Sequence, residues 1–336
     1  MNQENKKNQF QQKITDSLMA AFESVISKKK EWYSDNKNIY TPSDVQKLIS
    51  KCGNTNAWIS GGAGLIPGPL GMLVVVPEIS LIIKNQIEMI YDIGKANNKT
   101  GKELSKELVI GVFASSIGNA GIGLITIHVG TVLVKRASLR VFQKIVAMVG
   151  GKVTQRLLKS IVAKWLPGVG AAAMAVWSKY TTNLIGEKAQ EIFFKDIIFE
   201  EGELINIPDD VVDVADTPEK TEQIINRHKI TLLSNLLKVS GDIAEVEVKQ
   251  ITSMIKSMDF SEDLAQQLLS KLKILEPDSV DFDLLKEHDE TLSILIDMVA
   301  LAKADKKLHK LEIVYIKEVG KKLGLSEVEI KGILNF

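Results

Sequence analysis

The sequence predicts an all-α fold: a Gly/Pro-rich apolar helical hairpin domain followed by a pseudo-twofold helical bundle. Three observations lead there. Apolar residues recur at helical spacing along most of the chain, no strand–helix alternation of the kind that builds a parallel sheet occurs, and the last third of the chain repeats itself. The 336 residues include 45% hydrophobic and 25% charged side chains, enough for about two domains with cores of their own. Lys+Arg and Asp+Glu each number 42, so no global basic footprint points to nucleic acid as a partner. The single cysteine, Cys52, excludes an internal disulfide, a zinc ribbon and a CxxC redox pair. The first ten residues are polar and no apolar h-region follows, which points to a cytoplasmic protein without a signal peptide. A protein exported by a signal-independent machine would read the same.

Taken in order, the elements begin with residues 12–28. There Ile14, Leu18, Phe22 and Ile26 lie four apart, on one face of a helix. Thr41-Pro42-Ser43-Asp44 starts another helix, with Pro42 near its first turn. Cys52 precedes Gly53-Asn54, which reads as a turn. Short β-like runs such as Leu73–Val76 are too isolated for a sheet. Three uncharged runs stand out: Ala57–Pro77, interrupted by Pro67 and Pro69; Leu108–Val134, 27 residues long; and Trp165–Ser178, with Pro167, Gly168 and Gly170. A run of about 18 or more apolar residues is a candidate transmembrane helix. The Gly, Ala and Ser content of all three suits close helix packing, in lipid or in a soluble core.

Charge distribution adds the most informative global feature. From Leu108 to Gly186 there is no Asp or Glu, while nine basic residues remain, so acid is excluded from this window and the rest of the chain is net negative. Arg136, Arg140 and Lys144 fall on one helical face; Gly150-Gly151 reads as a break; Lys152, Arg156 and Lys159 form a second stripe. Basic amphipathic helices of this kind lie on anionic lipid, and the alternative is a solvated helix face. Glu200–Glu222 then carries nine acidic residues against Lys220 alone, with Pro208 and Pro218, and reads as an acidic linker. The expected organisation is 1–199, a linker over 200–222, and 223–336.

Beyond the linker, Leu236–Asp242 aligns with Leu301–Asp305, and Ile243–Val248 with Leu308–Ile313. Ile251 then matches Ile316, Met258 matches Leu323, Ser261 matches Ser326 and Leu268 matches Ile333. Each copy predicts an apolar helix, an acidic turn, a second amphipathic helix and a Ser-initiated third helix. The run Ile296–Asp305 with Glu312 and Leu323-Gly324-Leu325-Ser326 resembles the tellurite-resistance TerB-like domain. That resemblance implies carboxylates suspected of metal binding in each half, here Asp242 with Glu247 and Asp305 with Glu312, for a hard cation such as Ca²⁺. Lys306-Lys307 replaces the glycine usual after the second Asp, and helix capping is the alternative role for these acids.

The run Gly61–Gly71, with Gly64, Pro67, Gly68 and Gly71, followed by Val76-Pro77-Glu78 and Gln86–Ile90, resembles the EcsC family. The later Trp165–Ala173, with Pro167, Gly168 and Gly170, is similar to that family's closing hairpin, so the likeness spans about 22–199. It implies membrane association and no established reaction. Glu78 stands where the family usually has Asp; it is either a satisfied carboxylate, with Lys84 or a basic residue on the next hairpin as its partner, or a protonation switch for insertion.

No GxxxxGK[ST] loop, HExxH pair or GxSxG elbow occurs, so nucleotide binding and hydrolytic catalysis find no motif. The expectation is a non-enzymatic protein whose EcsC-like domain binds or inserts into anionic membrane lipid. Its TerB-like domain would regulate or recruit a protein partner, in envelope stress, defence or inter-bacterial antagonism, including as a membrane-active toxin. The alternatives are a soluble scaffold for an acidic protein partner and a metal-dependent enzyme at Asp242, Glu247, Asp305 and Glu312.

Overall fold

Ile14, Leu18 and Phe22 all lie on the buried stripe of the first helix, α1 (Gln3–Asp35), as their spacing predicts. A computed structural model describes residues 3–35, 40–62, 76–116, 123–159, 169–200, 219–239, 241, 245–258, 260–272, 274, 276–287, 290–303 and 308–334 of the chain. Thirteen α-helices and one three-stranded sheet are found among these residues, so the fold is predominantly α. The chain divides into two compact units. One comprises 1–60, 73–155 and 178–214; the other comprises 61–72, 156–177 and 215–336.

In the first unit, α1 packs along α3 (Val76–Ala96), and both touch α4 (Lys106–Ser116). Phe22 of α1 makes edge-on ring contacts with Phe113 of α4 and with Phe142 of α5 (Leu139–Lys159), at centroid distances of 6.0 and 6.2 Å. The chain enters α2 (Val45–Gly62) through a short 3₁₀ turn at Pro42–Asp44, where the Asp44 carboxylate accepts hydrogen bonds from the Thr41 amide and hydroxyl. α2 then runs unbroken through Cys52-Gly53-Asn54, which is therefore helix and not a turn. Gly53 is needed there for contact rather than for bending, because a Cβ would strike Asn183 of α6 (Val169–Phe193). Gly186 of α6 makes room for Ile49 of α2 in the same way.

The uncharged run 108–134 is not one helix. α4 ends at Ser116, and β1 (Ile125–Ile127) and β2 (Thr131–Val134) follow as an antiparallel hairpin, with Gly130 at φ 84° in its turn. β3 (Asp196–Phe199) completes the sheet by pairing parallel to β2, in the order β1-β2-β3. This sheet is a small addition to the all-α fold that the sequence predicts. Its β-branched runs are three or four residues long, and the third strand lies some sixty positions away, so no local pattern joins them. Gly150-Gly151 likewise does not break α5. A Cβ on Gly150 would lie 3.1 Å from the Thr15 Cα, so the glycine lets α1 and α5 cross closely. Among the described residues, no helix is long and apolar enough to cross a membrane.

The second unit displays the sequence repeat directly. Its helices are α7 (Glu219–Val239), α8 (Glu245–Ser257), α9 (Glu262–Lys271), α10 (Phe282–Glu287), α11 (Thr291–Ala302), α12 (Lys310–Lys322) and α13 (Glu327–Leu334). α8 and α12 have matching ends, 245 to 310 and 257 to 322, a shift of 65 positions at both. Ile251 and Ile316, at equivalent places in these two helices, are fully buried. α7 packs against α8, α10, α11 and α12, and α11 packs against α12 and α13. The Ser261 hydroxyl accepts the Leu264 amide at 3.3 Å and the Ser326 hydroxyl accepts the Glu329 amide at 3.3 Å, so both third helices begin with the serine cap the sequence predicts.

Candidate functional site

Basic side chains gather at the start of α5. Ser138 caps that helix, its hydroxyl accepting the Val141 amide at 3.2 Å. Arg136, just before the helix, and Arg140, in its first turn, are exposed; Lys144 and Lys152 are half-buried. Val141, Phe142, Ile145, Val146 and Val149 turn inward, so the apolar face is core and the basic face is outward. Arg156 and Lys159 belong to the C-terminal part of α5, but their side chains fall outside the described residues. No carboxylate occupies the first turn of α5 or of α6, and Arg140 sits at the positive end of the α5 dipole.

Parts of the uncharged runs are interior. Leu108 to Ala114 of α4 are buried, as are Ala173 to Ser178 of α6. Of the hairpin-motif residues, Gly64, Pro67, Gly68, Gly71, Pro167 and Gly168 lie outside the described residues, and Gly170 lies in the first turn of α6. Glu78 occupies the first turn of α3, where an acid suits the dipole. It is half-buried, and desolvation pushes its carboxyl above the usual range. No hydrogen bond or ion pair to Lys84 forms among the described residues, so the local partner read from the sequence is not the one chosen.

Deeper in the first unit two polar clusters tie helices together. The Lys29 ammonium donates to both Asp92 carboxylate oxygens, at 2.9 and 2.8 Å, and the Tyr33 hydroxyl donates to one of them at 2.8 Å. Burial, then the Asp92 charge, raises the Tyr33 phenol above its ordinary range. Asn56 of α2 and Gln86 of α3 both donate to the Thr182 hydroxyl of α6, at 3.0 and 2.9 Å. Cys52 lies beside this second cluster and donates to the Asn85 carbonyl at 3.5 Å. Its thiol is pushed up to about 12, first by burial and then by the charges of Glu88 and Asp92, which leaves almost no thiolate for nucleophilic chemistry near neutral pH.

In the second unit Glu247 and Glu312 take equivalent places in the first turns of α8 and α12, and both are buried. Glu312 accepts the His309 amide at 2.9 Å, which is the capping role weighed against metal binding for these acids. Asp242 and Asp305, the other two carboxylates of the implied cation site, lie outside the described residues. Among the described residues, no group of three or more His, Cys, Asp or Glu side chains is placed to hold a metal ion.

Sequence reasoning missed a buried ion pair in this unit. The Lys229 ammonium of α7 and the Glu290 carboxylate before α11 meet at 2.5 Å with 3% and 7% of their side chains exposed, and the Ser293 hydroxyl donates to Glu290 at 2.9 Å. It also missed Asp278. Burial opposes its ionised form, but hydrogen bonds from Lys271 and Lys238 outweigh that and hold the carboxyl below the usual range. Partners separated by 40 to 61 positions leave no mark in local spacing.

These features define a helical protein whose C-terminal part is a duplicated three-helix unit with serine-capped third helices. Residues 226–335, about a third of the chain, match the family model described as tellurite resistance protein TerB, which is the part where the repeat was read. No curated protein and no solved structure gives a significant match to the chain.

Proposed function

We propose that this is a non-enzymatic, membrane-associated protein that rests peripherally on anionic lipid through its acid-free basic surface, while the TerB-like part regulates or recruits a partner in envelope stress or defence. One observation carries the reading: 79 residues from Leu108 to Gly186 without a carboxylate, with Arg136 and Arg140 exposed on the structure built from them. Basic side chains on such a surface attract lipid phosphates, and the attraction is of order 1 kcal/mol for each Lys or Arg near the surface. The resemblance of 22–199 to the EcsC family supports the same location. Burial of Leu108–Ala114 favours contact over insertion, because insertion would require that core to unpack.

Flotation of the full chain with vesicles tests the proposal. Wild type floats with phosphatidylglycerol-containing vesicles at low salt, and Arg136/Arg140/Lys144→Glu does not. Failure of wild type to float at low salt would end the membrane reading. It would leave the second reading, a scaffold whose basic face binds an acidic protein, which the buried state of α4 also favours.

A further inference from the structure

Trp58 is 81% exposed, the most exposed aromatic side chain among the described residues. It stands on the outer face of α2 with Lys47, Lys51, Asn54 and Thr55, all exposed. Their spacing of i, i+4, i+7, i+8 and i+11 places all five on one side of the helix. The opposite side, with Val45, Ile49, Gly53, Asn56, Ala57 and Ser60, is buried.

That orientation is locked. Gly53 lies against Asn183, Ile49 against Gly186, and the Asn56 amide donates to the Thr182 hydroxyl at 3.0 Å and to the Ile82 carbonyl at 3.4 Å. α2 therefore cannot roll to hide Trp58 without breaking a buried polar cluster. A rigid helix that holds an indole in water next to ammonium groups has the composition of an interfacial anchor, an amphipathic ring beside basic residues.

Charge points to the occupant. From Val45 to Pro77 there is no Asp or Glu. Asp44 lies at the start of α2, bound to Thr41 and attracted to Lys47, Glu187 follows Gly186 at the level of Ile49, and Glu88 and Asp92 of α3 act on Cys52, so the carboxylates near α2 lie towards its first half, away from Trp58. On α3, Glu78 sits one turn before Ile82, half-buried in the first turn of that helix.

We propose that the Lys47–Lys51–Trp58 stripe of α2 is a membrane anchor, with Trp58 at the boundary between headgroups and acyl chains of an anionic bilayer and the two lysines on lipid phosphates. The proposal rests on the membrane reading above and adds to it an apolar contact on a different helix. Charge at α5 attracts the protein to the surface; the indole holds it there.

The test uses the full chain and vesicles of equimolar phosphatidylcholine and phosphatidylglycerol, with pure phosphatidylcholine beside them. Wild-type tryptophan emission shifts to the blue on the anionic vesicles, and Trp58→Ser removes most of the shift. Partitioning of that variant falls by about tenfold or more, the effect of withdrawing one large buried side chain. Trp32→Phe serves as a control and keeps wild-type partitioning. Thermal unfolding of Trp58→Ser matches wild type, since the ring touches solvent in the free protein. If wild type binds but Trp58→Ser binds equally well, the stripe is not the anchor, although the membrane reading survives. Equal binding to pure phosphatidylcholine would overturn the role given to the lysines. Loss of all binding by wild type would remove both proposals. A dimer in lipid-free solution that Trp58→Ser dissolves would assign the stripe to a second copy of the chain instead.

Discussion

The two units differ in how regularly carboxylates open their helices. In the second, acids stand in the first turns of α8, α9, α12 and α13, and Glu312 and Glu329 bind amides of their own helix starts. In the first, Glu78 and Glu107 open α3 and α4, but α5 starts with no acid and Arg140 takes the place where one would be favourable. Acids near a helix start add about 0.3–1 kcal/mol each, so the second unit uses them for its own stability. The first gives up that gain at α5. The acid-free start of α5 is one of the observations behind the lipid proposal.

The interiors differ as well. The first unit joins α2, α3 and α6 with neutral amides and a hydroxyl, whereas the second places a full ion pair between α7 and the start of α11. The largest expected effect follows from that pair. Lys229→Met leaves the Glu290 carboxylate buried without its cation and destabilises the fold by about 3–5 kcal/mol, read from urea unfolding of the full chain. Replacing both partners with Met restores most of the loss. Equal losses in the single and double variants would show that the pair is not the source of the effect.

Next in size is a test of how closed the first unit is around Cys52. With its thiol pushed up to about 12 from 9.0, iodoacetamide at pH 8 reacts with the folded chain about a thousandfold more slowly than with the chain in urea. The same shift has a stability consequence. The folded thiol keeps a proton that the unfolded one releases near 9, so this contribution is complete below about 9 and is lost as pH rises from there to about 12. Equal alkylation rates in the two states would show that α2 is not sealed against α3 and α6.

The smallest effect probes the repeat. Ser261→Ala and Ser326→Ala each remove a hydroxyl that accepts a helix-start amide, and each lowers stability by about 1 kcal/mol. Similar losses at the two sites confirm equivalent halves. A much larger loss at Ser326 would reveal the added weight of Glu329, which accepts both the Ser326 amide and hydroxyl.

Much of the architecture was legible residue by residue. The i, i+4 stripe of Ile14, Leu18 and Phe22, the pairing of Ile251 with Ile316, and the serines opening α9 and α13 all follow from spacing within one helix or one copy. The candidate surface was partly legible. Absence of acid from 108 to 186 can be counted, but Arg136, read as sharing a helical face with Arg140, lies before α5, and the exposed Trp58 looks in sequence like the beginning of an apolar run.

The sequence by itself determined the helical class, the position of the repeat and the exclusion of acid, because these depend on periodicity, caps and composition over a few turns. The tertiary structure alone decided the rest. It split 108–134 into α4 and a β-hairpin, carried α5 through Gly150 and α2 through Gly53, and joined Lys229 to Glu290. In each case the deciding partner (β3, Thr15, Asn183 or Glu290) is distant along the chain. A glycine reads locally as a weak point in a helix, but across a close crossing it is the residue that lets two helices meet.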